Sequence, residues 1–441
     1  MRKRIVDTQI SGYNYGYNHG FRAGYDDGFN RGRQVGIAQG PFEGTSIIIP
    51  TYNQVNYLRE CIASIRQYTP QAYELIIIDN GSDDGTAEYL KSLYGIRYKI
   101  LPDNAGFAGA VNEGLMLARG TTLLILNNDS VVTTNWLSNL MNCLLSHSSF
   151  GIVGPVTNYI SGDQQIATDY ANMEEMQQFA EAFNQTNASR WSITNRLTGF
   201  CMLLRRETFL ALGYFDEGFE IGNCEDDDYG LRARLLGVEL IIAKDTFIHH
   251  YGSVSMKALN TRFEQVYGNN LLFYSQKWSD PHGYLSLDWR LGMEGIVHRT
   301  IEFYPTCIIV QGVGANKYWI DNGSRHTISG ECHLQAVRVS QVDLHQWSLG
   351  EAITVEQLQQ RIQQLEFPAH ENTYIEGTLV HVHDGGMYQC VRGMLHRFIN
   401  TQAITAWGID MYHTIHIGRD SADVSECPPI ICPPVIKSDH I

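Results

Sequence analysis

The sequence predicts an α/β fold built on a mostly parallel sheet, followed by a β-rich C-terminal unit. Three observations predict it. From Thr45 onward, short apolar runs alternate with stretches whose apolar residues recur at helical spacing. Four of those runs end in clusters of polar residues. Past residue 306 the alternation gives way to short period-two segments split by glycines. Strands alternating with helices at this spacing cover both faces of a parallel sheet, whereas period-two segments around a glycine turn form hairpins.

The elements follow in order. The run from Ser46 to Pro50 reads as a buried strand, and Leu58, Cys61, Ile62 and Ile65 mark a helix ending near Tyr68. A strand over 74–79, a helix after Asp84, a strand over 97–101, a helix over 107–119 and a strand over 122–126 complete the pattern. In such sheets ligands bind beyond the carboxyl ends of the strands. The polar clusters lie there: Pro50-Thr51-Tyr52-Asn53, then Asp79-Asn80 with the loop to Thr86, then Asn104 to Gly109 with Asn112, then Asn127-Asn128-Asp129.

Four segments divide the chain: 1–44, 45–305, 306–420 and 421–441. In the first, glycine recurs at every fourth position from Gly12 to Gly40, and Tyr13, Tyr17, Phe21, Tyr25 and Phe29 follow the first five glycines. Each glycine costs a helix about 1 kcal/mol, so this arm is not helical alone. It either packs as helices against copies of itself, making a homo-oligomer, or stays a flexible Gly/Tyr-rich arm. In the third, Tyr318, Gly323 and His326 recur as Tyr388, Gly393 and His396, an offset of 70 (388−318, 393−323, 396−326). Each copy reads as a hairpin, so the region is a duplicated unit. His381 and His383 share a strand face there, which is either a solvated face or a metal site. The last segment, with Cys427 to Pro434 dense in proline, is expected to be extended or disordered.

Composition narrows the function. The 441 residues are 44% hydrophobic, enough for two or three cores, and 32 Lys+Arg against 47 Asp+Glu give a formal charge of −15. An acidic surface repels phosphate backbones, so no nucleic-acid partner is expected. No apolar run reaches membrane-spanning length, no apolar stretch follows the basic start, and nine cysteines contain no CxxC pair. These features point to a cytoplasmic protein, peripheral to a membrane or to a surface or spore assembly.

The motifs SIIIPTYN (46–53), IIIDNGSDDGT (76–86), NAGFAGAVNEG (104–114), LILNND (124–129), LTGFCMLLRR (197–206), CEDDDYGLRAR (224–234) and HHYGS (249–253) together resemble glycosyltransferase family 2. They cover about half the chain in the family's order, and the rhamnosyltransferase-like branch is most similar. The resemblance implies a GT-A nucleotide-sugar-binding fold and inverting transfer to a glycan, lipid-linked or protein acceptor. The other reading is a non-catalytic carbohydrate-binding or scaffold protein that retains the fold.

The residue types fit that chemistry. A carboxylate at Asp79 can accept from N3–H of uracil or thymine, which favours a UDP- or dTDP-sugar. Thr51, Tyr52 and Asn53 would flank the base, and Pro50, Asn80, Asn104, Gly106, Phe107, Asn112 and Asn128 complete the donor set. The loops are poor in Lys and Arg, so a divalent metal, Mg2+ or Mn2+, is expected to neutralise the diphosphate. Asp129 ends a strand where the family places its Asp-x-Asp motif, although Asn127 replaces the first acid. The resemblance also implies His250 at the metal, with His249 as second choice. It places the general base at Asp226, with Asp227 and Asp228 as alternatives, and Arg232 and Arg234 are expected to pair with this acidic run. The segment from Pro155 to Asn195 is expected to be irregular and to bind the acceptor.

Overall fold

A computed structural model describes residues 42–252, 262–280, 283, 297–367, 375–383, 385–418 and 427–441. The glycine-repeat arm lies outside the described residues, apart from its last few positions. The chain enters through β1 (Phe42–Thr51), α1 (Val55–Tyr68), β2 (Tyr73–Asp79), α2 (Thr86–Ser92), β3 (Arg97–Ile100), α3 (Gly106–Leu117) and β4 (Gly120–Leu126). β1 pairs in parallel with β2 and β4, and β2 with β3. The isoleucine run of β1 is buried on both faces. Ile47 and Ile49 pack with Leu58, Ile62 and Ile65 of α1, and Ile48 packs with Ala110 and Val111 of α3. That two-sided burial is why a continuous apolar run, rather than an alternating one, makes this strand.

The second half adds β5 (Ser130–Val131), α4 (Trp136–Ser146), β6 (Phe150–Val156), α5 (Met173–Phe183), β7 (Trp191–Thr194), β8 (Cys201–Arg205), α6 (Arg206–Leu212), α7 (Glu225–Leu235), β9 (Glu239–Phe247) and β10 (His249–His250). The eight-stranded sheet has the order β3-β2-β1-β4-β8-β6-β9-β7. β8 runs antiparallel to β4 and β6, and β7 antiparallel to β9. β5 and β10 form a separate two-stranded ribbon in which His250 lies opposite Ser130.

The segment from Pro155 to Asn195 is not the irregular loop expected. It holds the end of β6, all of α5 and β7. Met176, Phe179, Ala180 and Phe183 form a helical stripe packed toward the core, and the Asn172 side chain caps the helix by accepting from Glu175 N–H. Polar residues between these positions hid that stripe.

After α8 (Arg262–Trp278), the C-terminal part contains β11 (Ile308–Gln311), β12 (Lys317–Asp321), β13 (Ser324–Ser329), β14 (Val337–Arg338), α9 (Gln341–Gln346), β15 (Ser348–Leu349), β16 (Ile353–Thr354) and α10 (Val355–Glu366). Then come β17 (Leu379–Val382), β18 (Gly386–Val391), β19 (Met394–Arg397), α11 (Thr401–Ala406) and β20 (Thr414–Ile417). β12–β13 and β18–β19 are two-residue hairpins. Their turns, Asn322-Gly323 (φ 49° and 74°) and Arg392-Gly393 (φ 51° and 79°), both need left-handed backbone at two positions. In each unit the first strand pairs antiparallel with the second and parallel with a later one: β14-β11-β12-β13 in one, β20-β17-β18-β19 in the other. His381 faces His416 across β17 and β20, with Nδ1 atoms 3.2 Å apart. Among the described residues no three His, Cys, Asp or Glu side chains are grouped to hold a metal.

The proline-dense tail is extended but not free. Ile430 and Ile431 are fully buried, and Ile430 bridges to Phe398. Asp216 accepts from Val435 N–H, and Glu217 accepts from Lys437 and Ser438 N–H. An extended segment cannot pair its own amides, so buried carboxylates of the first domain take them. One continuous apolar core joins both parts. Among the described residues no helix is long and apolar enough to cross a membrane.

Candidate active site

The carboxyl ends of β1, β2 and β4 open into a cavity of about 600 Å3. Pro50, Thr51, Tyr52, Asn80, Asn104, Phe107, Asn128, Asp129, Asp226, Asp227 and His250 all line it, so strand ends far apart in sequence converge. Asn128 donates to the Thr51 hydroxyl (2.8 Å), tying β4 to β1. The Asn80 amide donates to Asn104 Oδ1 (2.9 Å) and Gly106 O (3.0 Å) and accepts from Ala105 N–H, which fixes the loop before α3.

Four expected donor residues sit behind the wall. Asn53, in left-handed backbone (φ 56°), holds the loop by accepting from Asp83 N–H and donating its own N–H to Ser82. Gly106 starts α3 at φ 77°. Asp79 is fully buried; Oδ1 accepts from Ser82 N–H and Oδ2 has no partner, leaving an acceptor unsatisfied beside the cavity. Asn112 does not reach the cavity at all. Its amide is spent on Phe215 N–H and C=O and on Glu217, so its place in the motif is structural.

The metal candidates meet across the β5–β10 ribbon. His250 Nε2 lies 3.1 Å from Asp129 Oδ1, and Nδ1 lies 2.8 Å from the Tyr159 carbonyl. A carbonyl only accepts, so Nδ1 carries a proton. In the neutral ring, Nε2 then presents a lone pair to a carboxylate oxygen. Two acceptors face each other, and only a proton or a cation reconciles them. The Phe200 ring stacks on His250 (5.3 Å between centroids) and keeps its plane fixed. His249 points away, to the Tyr170 hydroxyl (2.7 Å), and burial followed by the neighbouring His250 pushes its pKa down to about 4. It is a neutral packing residue outside the cavity lining.

The acidic run splits at the first turn of α7. Asp226 faces the cavity, with its oxygens accepting from Gly199 N–H (2.8 Å) and Asp227 N–H (2.9 Å). Burial, reinforced by the charge of Asp227, nevertheless pushes its carboxyl up to about 6. Glu225 also borders the cavity; burial and Asp226 hold it well above the usual carboxylate range, and its Oε2 has no partner. Asp227 is engaged by Arg196 (2.5 Å). Asp228 faces the core, where Lys277 (2.6 Å), Arg232 (2.9 Å) and the Trp278 indole N–H (2.9 Å) surround it. Despite burial, Lys277 and Arg232 hold its carboxyl below the usual range. Asp228 is therefore a structural anion. Of the two arginines expected to pair with the run, Arg232 does so, whereas Arg234 reaches the Asn195 carbonyl.

Tyr159, from the segment expected to bind the acceptor, lines the cavity, whereas several other lining residues carried no role from sequence: Arg196, Thr198, Gly199, Ile221 to Cys224, Tyr267 and Leu271. The Thr198-Gly199-Phe200 triplet was visible as a motif. Its contribution is a backbone N–H and a ring, which residue type alone does not announce.

This architecture, with polar clusters at the ends of parallel strands and an acidic helix across the cavity, is an α/β domain of the GT-A type. Residues 46–213 match the family model described as glycosyl transferase family 2. It is 25% identical over 250 residues to glycosyltransferase GlyG of Streptococcus pneumoniae, covering 53% of this chain and 79% of that one. It is 26% identical over 220 residues to chondroitin synthase of Escherichia coli, covering 43% and 32%. Among solved structures it resembles the mannosyltransferase PcManGT from Pyrobaculum calidifontis in complex with GDP-Man and Mn2+, at 19% identity and a TM-score of 0.36, covering 48% and 58%.

Proposed function

We propose that this chain is an inverting glycosyltransferase that moves a sugar from a UDP- or dTDP-sugar to a hydroxyl of a glycan, lipid-linked or protein acceptor. The observation that carries the reading is Asp226: a half-buried carboxylate that Gly199 and Asp227 N–H hold in the same cavity as the Asp129–His250 pair, where desolvation and the charge of Asp227 push its pKa up to about 6. A base whose pKa lies close to working pH is ionised yet still basic enough to take a hydroxyl proton.

In this reading the pyrimidine lies over Tyr52 near the unsatisfied Oδ2 of Asp79, and Asn80, Asn104 and Asn128 hold the ribose and diphosphate side. Asp129 and His250 fit Mg2+ or Mn2+, which when bound supplies Lewis-acid stabilisation of the leaving diphosphate. Two protein ligands suffice where diphosphate oxygens and water complete the shell. Asp226 removes the acceptor proton as that oxygen attacks the anomeric carbon opposite the diphosphate, which inverts the centre. Gly199 and Asp227 N–H keep the carboxylate aimed. Tyr267 and Leu271 bound the acceptor side.

The test is turnover of a nucleotide-sugar panel with Mn2+ by the full chain and by Asp226→Asn. The variant is expected to bind UDP normally and to lose transfer by roughly 10²-fold or more. Equal turnover by both proteins would refute the assignment, and no turnover of any donor would favour a non-catalytic carbohydrate-binding protein.

A further inference from the structure

The chain between Glu220 and Glu225 adopts a conformation that residues with side chains avoid. Ile221 (φ 53°), Asn223 (φ 85°) and Cys224 (φ 71°) are all left-handed, and for a β-branched residue such as Ile221 that is a marked outlier. This segment lines the cavity and runs straight into α7, so its shape sets where Asp226 points. Strain of this kind persists only where surrounding contacts hold it.

One side chain supplies most of those contacts. Asn270, almost fully buried in α8, accepts at Oδ1 from Glu220 N–H (2.8 Å). Its Nδ2 donates to the carbonyls of Glu220 (2.9 Å), Gly222 (2.9 Å) and Asn223 (3.1 Å). From the opposite wall, Phe107 N–H donates to the Ile221 carbonyl (2.6 Å). Among the described residues, every hydrogen bond of the Asn270 side chain goes to this one loop. An apolar residue of similar size would fill the space but leave a buried N–H and three carbonyls without that partner.

We propose that Asn270 is a positioning residue for the transfer step: it clamps the left-handed loop and thereby aims Asp226 into the cavity. The proposal rests on the reading of Asp226 as the base. Its neighbours one position and three positions away, Leu271 and Tyr267, line the same cavity. A single helix thus bounds the acceptor side and fixes the residue that deprotonates the acceptor. Asn270 makes no hydrogen bond to Thr51, Asn80, Asn128 or Asp129, and its loop is hydrogen-bonded to the donor set at Phe107.

The test compares the full chain with Asn270→Ala, using the nucleotide-sugar with the highest turnover in the panel and Mn2+. The expected result is a kcat lower by about 10- to 100-fold, a donor KM within about twofold, and UDP–Mn2+ affinity by calorimetry unchanged. The midpoint of the kcat–pH profile should also move below its wild-type value, because a loosened loop hydrates Asp226. Ile221→Gly in the Asn270→Ala background should restore part of kcat, since glycine takes left-handed backbone without penalty. Near-UV circular dichroism establishes that each variant is folded. Should Asn270→Ala not fold, Asn270→Ser, which keeps one hydrogen-bonding group, is expected to show the same split in milder form. Unchanged kcat in a folded variant, or kcat and donor affinity falling together with no pH shift and no rescue by Ile221→Gly, would overturn the proposal. If Asp226→Asn instead retains full turnover, the base assignment fails first.

Discussion

Asp226 and Asp228 sit two residues apart on the first turn of one helix, yet they serve opposite faces of it. Asp226 meets the cavity with two backbone N–H donors, a like-charged neighbour and no direct cation, and its carboxyl rises to about 6. Asp228 meets the core with Lys277 and Arg232 against it, and its carboxyl falls below the usual range. Asp226 is half-buried at the cavity wall and Asp228 fully buried in the core, so burial alone would raise Asp228 more. The difference is whether a cation is built in beside the carboxylate. Where it is, the charge is satisfied and holds structure; where it is not, the carboxylate keeps an appetite for a proton.

The largest expected effect breaks the core side. Lys277 is shared by Asp216 and Asp228, both at 2.6 Å. Lys277→Met leaves two buried carboxylates without it and is expected to destabilise the fold by about 3–5 kcal/mol. Urea unfolding measures this. Asp228 also signs its contribution through pH: with a folded pKa below the unfolded value, its stabilisation is present above about pH 4 and lost as pH falls. Asp226 has the reverse sign, since its raised pKa stabilises at low pH and that contribution is lost as pH rises through about 6.

A smaller effect is expected at the metal end. Asp129→Ala removes the carboxylate facing His250 and should weaken UDP–Mn2+ binding by about 10- to 100-fold without changing affinity for UDP in EDTA. Calorimetry with and without the metal reads both. Equal loss in both conditions would make Asp129 a structural residue like Asp228. The smallest effect lies far from the cavity: Gly323→Ala puts a Cβ on left-handed backbone against the Arg392 guanidinium. It should cost about 1 kcal/mol in thermal unfolding and leave turnover unchanged.

The contrast also explains what was legible in the sequence. The β1 to β4 half was readable because its signals are local: apolar runs set the strands, and the polar clusters at their ends fall where the cavity forms. The two hairpins were readable for the same reason, since Asn322-Gly323 and Arg392-Gly393 carry their turn chemistry in two residues. Partners distant in sequence were not readable. Asn112 looks like a donor ligand until Phe215 and Glu217 claim its amide, and Asp228 looks like a base until Lys277 and Trp278 close on it. The tail resembles a loose proline segment until Asp216 and Glu217 take its backbone amides. Asn270 carries no local signal at all, because its meaning lies in a loop about 50 residues earlier.

The central claim is that Asp226 is a base kept near neutrality by burial and by the charge of Asp227. The most direct measurement is the pH dependence of kcat for nucleotide-sugar turnover in the wild-type chain and in Asp227→Asn. Activity is expected to rise with pH through a midpoint near 6, and the midpoint should fall when the charge at position 227 is removed. A profile that is flat from about pH 5 to 8, or a midpoint that stays fixed in Asp227→Asn, would contradict the account.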